Sequence, residues 1–556
     1  MVDELIYLIG LILVLLIILQ KALTDGKKRK RQLEAALQEN YGKPNTRKWQ
    51  SKDLEIISWY TERNLKNHAV DFLTWQDLDM DEVYCQMAYT SSSVGDDYLY
   101  YLLHHPARSE EELKDLEEII SYYQTGEEAR IGLQMLFREM GRLKNYSLSQ
   151  YMDFMQDMVP GKNIGHHLVN VLLLLSLLIT TVYTGIGLVL LFGLLCFNFI
   201  SYFRHRAEME PCLTSFRYIL TLLDYSAKIE RQLNPAWKEM KESLREKNKS
   251  FEGFRKNAFL VVSRGNMAGQ GMEVILDYLR MCFHPDIIKF NSMLKQLQQH
   301  MDELWEIYAL LGKLDSCLAI GEYRTYLSYY CIPRFQDEKE IILEKAYHPL
   351  VEKAVPNSLD MKQNILLTGS NASGKSTFLK TMGINILLAM TIHTCTAERL
   401  QLPFCRLFTA ISLKDSLRLK ESYYMAEIRA IKRILDFGKE EEQVVCMVDE
   451  VLRGTNTMER IAAATQILKE ISSEGILCIA ATHDEELTRT LEKEYENYHF
   501  EEELVEGDVR FSYQLKKGRV SSSNAIRLLE EFGFSRQITE GARKMIDDYK
   551  RQGEWR

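Results

Sequence analysis

Gly369-Ser370-Asn371-Ala372-Ser373-Gly374-Lys375-Ser376-Thr377 has the spacing G-x-x-x-x-G-K-[ST]. Glycines in such a loop let backbone N–H groups curl around phosphates. Lys375 can reach the β- and γ-phosphates, and the Ser376 hydroxyl can ligate Mg²⁺. A second group of reactive residues ends the apolar run Val444-Val445-Cys446-Met447-Val448, which is followed by Asp449 and Glu450. An Asp at such a strand tip can hold Mg²⁺, directly or through water. A Glu beside it is placed to polarise an attacking water as general base. A third run, Gly475-Ile476-Leu477-Cys478-Ile479-Ala480-Ala481, ends in Thr482-His483-Asp484. His483 at a third tip of one sheet could hydrogen-bond a γ-phosphate or the attacking water. Together these residues point to binding and hydrolysis of a nucleoside triphosphate with Mg²⁺.

Such chemistry needs strands that end at one edge of a sheet. The short apolar run Asn364-Ile365-Leu366-Leu367-Thr368 precedes the loop, and Phe378-Leu379-Lys380-Thr381-Met382 starts a helix after it. From Pro333 onward strand and helix patterns alternate, with strands expected at 341–343, 364–368, 444–448, 476–481 and 509–515. That alternation predicts an α/β domain with a mostly parallel sheet. Upstream the patterns are helical. Ser109-Glu110-Glu111-Glu112 opens one helix with an acidic first turn, and 287–314 reads as one long amphipathic helix. Residues 238–256, dense in Lys, Arg and Glu, read as a solvated helix face, with a phosphate-contacting patch as the alternative.

The 556 residues are 46 % hydrophobic, but that fraction is unevenly spread. Residues 5–19 carry no charge and are followed by Lys27-Lys28-Arg29-Lys30-Arg31. This is slightly short of the roughly 20 residues that span a bilayer, and the charge lies on the wrong side for a cleaved signal peptide. An uncleaved anchor is expected. Residues 168–203 contain no ionisable group except Tyr and Cys and are interrupted near Tyr183-Thr184-Gly185-Ile186-Gly187. Two helices joined there would form a membrane hairpin. Lys162, His166 and His167 flank one end and Arg204, His205 and Arg206 the other, which favours a cytoplasmic location for both. The alternative is a buried hairpin in a soluble core. The balance of 69 basic and 78 acidic residues gives −9, which does not advertise a nucleic-acid binder. Ten scattered cysteines without a C-x-x-C pair suit a reduced, cytosolic chain without a disulfide frame or zinc site.

The motifs and the residues between them resemble the MutS family of mismatch-recognition ATPases. Thr368 to Thr377 is similar to the family's TGPNMxGKST loop, with Ser370 for the usual Pro. Asp449-Glu450-Val451-Leu452-Arg453-Gly454-Thr455-Asn456-Thr457 resembles its DE-x-x-RGT-[SN]-T stretch, and Ala480-Ala481-Thr482-His483 its ATH. Asp415-Ser416-Leu417 followed by Glu421-Ser422-Tyr423-Tyr424-Met425-Ala426-Glu427 resembles the segment that, in the family, reaches the other subunit's nucleotide. Lys420 stands there for the usual Gly and Tyr424 for Phe. Upstream, Thr90-Ser91-Ser92-Ser93-Val94-Gly95 resembles the start of the family's helical core, and His348-Pro349-Leu350 and Val355-Pro356-Asn357 its approach to the loop. The resemblance implies a homodimer with composite sites, a trans role for Ser422, and DNA as a partner. No amino-terminal mismatch-reading domain or Phe-x-Glu wedge is apparent, and the hydrophobic hairpin interrupts the helical core about where the family inserts its DNA clamp.

The expected fold is an α/β P-loop ATPase domain, ABC-type with a mostly parallel sheet, preceded by an all-α core and lever region with transmembrane helices. The division is an anchor at 1–24, a juxtamembrane linker at 25–74, helical core at 75–160, the hairpin at 161–206, a helical lever at 207–332 and the ATPase domain at 333–556. The expected function is a multi-pass, membrane-anchored MutS-like ATPase that moves helical levers and binds DNA. The alternative is an ATP-driven membrane switch or assembly factor acting on a protein or lipid partner without nucleic acid.

Overall fold

The computed structural model describes every residue except 1, 263–269, 371–372, 412–422, 439–442, 453–454, 506–507, 520–525, 527–528, 531–532 and 553–556. Helices fill the chain up to Tyr326, and strand and helix mix beyond it.

Helix Val2–Asn40 contains the first apolar run and continues unbroken through the basic cluster. Part of the stretch read as a linker packs into the helical core. Helix Ser51–Arg63 buries Ile57 and Tyr60, and Arg47 pairs at 2.7 Å with the buried Asp96. Helix Glu110–Thr125 starts after Ser109 with three acidic residues in its first turn, where the helix dipole favours negative charge.

The stretch 287–314, expected as one helix, is two: Pro285–Gln299 and Met301–Tyr326. The chain turns at His300, whose backbone leaves helical values, and its Nδ1 lies 3.0 Å from Glu303 Oε1 in the new first turn. The apolar spacing runs through the break, so periodicity alone could not locate it. Met301–Tyr326 is the long helix that ends the region expected as the lever, and is called the lever helix below. Gly312 lets it approach helix Ser93–His104 closely, since a Cβ there would fall 2.5 Å from Tyr98 Cβ. Asp315 accepts hydrogen bonds from the backbone N–H of Ser91 and Ser92 and from the Ser92 hydroxyl, tying the start of that helix to the lever.

The second apolar segment is a helical hairpin, Asn163–Val182 and Thr184–Gln232, broken at Tyr183. Both helices are long and apolar enough to cross a membrane. Leu175, Leu178, Val182, Val189, Phe192 and Ile200 are exposed, so the hairpin is not the interior of a folded core. Gly187 permits the two helices to meet, because a Cβ there would lie 2.4 Å from the Thr180 backbone. The longer helix leaves the apolar stretch and runs on into the helical core, burying Phe216, Ile219, Leu222 and Leu223.

Among the described residues ten strands form two sheets: β1 Arg334–Phe335, β2 Ile341–Ala346, β3 Asn357–Met361, β4 Asn364–Thr368, β5 Arg399–Leu402, β6 Arg406–Ala410, β7 Val444–Asp449, β8 Leu477–Thr482, β9 Tyr495–Val505 and β10 Asp508–Lys517. The larger sheet has the order β10-β9-β4-β8-β7-β6, parallel except for the β9–β10 pair. The smaller, β1-β5-β2-β3, is mixed. β4, β7 and β8 are buried along their whole length, as continuous apolar runs covered on both faces should be. β9, rich in Glu, carries no such signal.

Lever and α/β domain meet at a charged junction. Arg324, near the end of the lever helix, donates to both oxygens of Glu117 at 2.8 and 2.6 Å, to the Thr394 hydroxyl at 2.9 Å and to the His393 carbonyl at 2.9 Å. His393 and Thr394 directly follow helix Lys375–Ile392, which begins in the phosphate-type loop. Burial would raise the Glu117 carboxyl, but the hydrogen bonds from Arg324 and His393 outweigh it and bring the pKa to about 2. A carboxyl depressed on folding stabilises the fold above its ordinary pKa of 4.5, and that contribution is lost as pH falls toward 2. Glu117→Ala would leave the buried Arg324 guanidinium uncompensated and is expected to lower stability by about 3 kcal/mol at neutral pH. Denaturant unfolding at pH 7 checks this, and the loss should shrink in acid.

Candidate nucleotide site at the strand tips

β4, β8 and β7 are neighbours in register, so their carboxyl-terminal tips lie side by side. Ligands of open α/β sheets gather at that edge. β4 is followed at once by Gly369, whose φ of +147° only glycine adopts readily. A Cβ there would meet Ser373 Oγ at 2.7 Å and the Phe500 carbonyl at 3.0 Å. The loop closes on itself through Ser373, whose N–H and hydroxyl both donate to the Ser370 carbonyl, at 3.2 and 2.8 Å. Gly374, at φ +106°, then starts the helix. Thr377 follows within its first turn. Lys375 is buried, and its ammonium donates to the Gly369 and Ser370 carbonyls at 2.6 and 2.8 Å. Asn371 and Ala372 lie outside the described residues.

The Ser376 hydroxyl donates to Asp449 Oδ2. Asp449 is buried, and its other oxygen, Oδ1, has no hydrogen-bond partner among the described residues. A buried carboxylate oxygen left without a donor is costly. A hydroxyl and a carboxylate with a spare oxygen fit a hard cation such as Mg²⁺, which takes few protein oxygens and keeps several waters.

The next residue, Glu450, has φ +57°, a strained conformation for a non-glycine. Its N–H bonds the Ala481 carbonyl at 2.9 Å, locking the tips of β7 and β8 together. Its Oε1 lies 2.8 Å from His483 Nε2, and that nitrogen is 3.2 Å from Lys375 Nζ. Lys375, Ser376, Asp449, Glu450 and His483 thus converge from three parts of the chain.

Ser422 lies outside the described residues. Glu427, from the same segment, accepts from the Leu452 N–H just past the β7 tip, so helix Tyr423–Phe437 starts beside the site.

Several site residues carry no motif signal. Arg460 donates to both oxygens of Asp484, at 2.9 and 2.6 Å, and braces the residue after His483. A cavity of about 360 Å³ opens beside the loop, lined by Val351, Val355, Thr377, Phe378 and Tyr513 among others. Tyr513 stands over Gly374 at an irregularity of β10, with φ +53°. Asn357 holds it there, donating to the Tyr513 carbonyl at 2.9 Å and accepting from the Leu515 N–H at 2.7 Å. An exposed aromatic ring beside a phosphate-type loop suits a flat aromatic base.

The family model of MutS domain V matches residues 365–550, the stretch holding this whole cluster. Residues 365–550 belong to the MutS family. It is 30 % identical over 262 residues to the DNA mismatch repair protein MutS of Thermus thermophilus, covering 46 % of this chain and 32 % of that protein. MutS of Fusobacterium nucleatum is 30 % identical over 271 residues, covering 46 % and 30 %, and that of Aquifex pyrophilus 28 % over 271, covering 47 % and 31 %. The chain spans about a third of the length of the curated relatives it matches.

Proposed function

We propose that the chain is a membrane-anchored ATPase that hydrolyses Mg²⁺-ATP at the strand tips and passes the change to its helical lever. The observation that carries this is the Ser376–Asp449 contact with its spare buried oxygen, beside the Glu450–His483 pair. Lys375 and the loop N–H groups would hold the phosphates, and Ser376 and Asp449 the Mg²⁺. The metal would neutralise charge developing on the phosphoryl oxygens. Glu450 would take the proton of the attacking water, with His483 orienting it. The base would lie in the cavity under Tyr513. Movement would leave the site through helix Lys375–Ile392, whose far end meets Arg324 of the lever.

By family analogy the site is completed in a homodimer by Ser422 of a second copy. The relatives are named for DNA mismatch repair, and DNA is carried here as a partner on that ground alone. The exposed apolar hairpin supports the alternative, a switch acting on a protein or lipid partner at the membrane. DNA affinity of the detergent-solubilised protein that falls steeply with salt would favour the first. No binding at low salt would favour the second.

Membrane attachment rests on the hairpin as well as on residues 1–24. Deleting 1–24 is expected to leave the protein in the membrane fraction after alkaline extraction. Complete release on that single deletion would mean that the hairpin does not enter the bilayer.

A further inference from the structure

Two thiols meet at the junction of lever and P-loop helix. Cys331 lies five residues beyond the lever helix and Cys395 three beyond helix Lys375–Ile392. They form an isolated antiparallel bridge, each N–H donating to the other's carbonyl at 3.0 Å. Such a mutually bonded pair holds its Cα atoms about 5.5 Å apart. That is inside the roughly 4.4–6.8 Å a disulfide spans. Both thiols are free, Cys331 partly exposed and Cys395 buried.

We propose that Cys331 and Cys395 are a peroxide-sensitive dithiol site whose oxidation staples the end of the lever to the end of the P-loop helix. Cys395 Sγ donates to the Asn385 carbonyl at 3.9 Å in the interior, while Cys331 is the member of the pair that reaches the surface. The Cys395 thiol holds the Cys331 thiol below its ordinary pKa, while burial pushes Cys395 up. Cys331, the partly exposed thiol, is the one peroxide meets first and so the nucleophile, with the buried Cys395 the resolving thiol.

The Cys331 thiolate attacks one peroxide oxygen, the O–O bond breaks, and the departing hydroxide takes a proton to become water. The Cys395 sulfur then attacks the Cys331 sulfenic acid, the S–O bond breaks, and a second water leaves with the Cys395 proton. The two sulfurs lose two electrons in all and the peroxide gains them. The other facing pair, Cys446 and Cys478, are register partners on β7 and β8 and fully buried, so peroxide has no path to them. They serve as an internal control.

Full-length protein would be treated with hydrogen peroxide, alkylated, and digested with trypsin without reductant. Peptide 325–334 should appear joined to peptide 381–399, and dithiothreitol should separate them. Cys446 and Cys478 should remain alkylatable once the chain is unfolded. Cys331→Ser should abolish the joined pair. Cys331 oxidised to sulfinic acid without the link, or both thiols unmodified at a dose that fully oxidises an added small-molecule thiol, would overturn the site. The staple's effect rests on the ATPase reading: turnover should fall several-fold in linked protein and return with dithiothreitol. Linked protein that turns over as fast as the reduced form would overturn the restraint. The peptide result needs no ATPase activity, so the two failures are distinguishable.

Discussion

Glu450→Gln is expected to bind ATP and Mg²⁺ normally and to hydrolyse ATP about 10²- to 10⁴-fold more slowly, the usual contribution of a general base. The backbone of residue 450 is fixed by its bond to Ala481, so the amide should occupy the carboxylate's place beside His483. The amide keeps the shape and loses the basicity. Because the substrate persists, the variant should also hold a closed dimer, seen as an ATP-dependent doubling of mass in detergent-corrected sedimentation. Single-turnover hydrolysis measures the chemical step apart from product release. A variant as fast as the parent would remove Glu450 from the role of base.

Lys375→Ala should act earlier, on binding. Its ammonium is the only side-chain charge within the loop sequence aimed at the phosphates. A hydrogen bond to a charged group is worth about 1.5–3 kcal/mol, so affinity should fall roughly 10- to 100-fold. In the present conformation the same ammonium holds the Gly369 and Ser370 carbonyls. The substitution therefore also unties the loop, and a thermal melt without nucleotide should record a small separate loss. Unchanged ATP affinity by equilibrium titration would sink the assignment of the loop.

What was legible in the sequence is what depends on adjacent residues. The phosphate-type loop is one contiguous stretch, and Asp449, Glu450 and His483 end apolar runs that could only be buried strands. The hairpin's break at Tyr183 was marked by its glycines, and the start of helix Glu110–Thr125 by Ser109 and the acids after it. What was missed joins residues far apart or hides in an ordinary pattern. Arg324 and Glu117 are 207 positions apart, and neither stands out among other charges. Tyr513 acquires its place from an irregularity in β10 and from Asn357, 156 positions away. The turn at His300 interrupts a pattern whose apolar spacing is continuous across it. β9 was invisible because its Glu-rich sequence lacks the apolar alternation of a strand, and its pairing with β4 is supplied by the sheet.

The most direct measurement is phosphate release from ATP by the purified full-length protein in detergent, with Mg²⁺ and with the metal chelated. Hydrolysis that requires Mg²⁺, disappears in Lys375→Ala at limiting ATP and is slowed in Glu450→Gln despite normal ATP binding is the predicted result. Hydrolysis unaffected by either substitution, or no ATP binding by the full-length chain in Mg²⁺, would contradict a catalytic site at the tips of β4, β7 and β8.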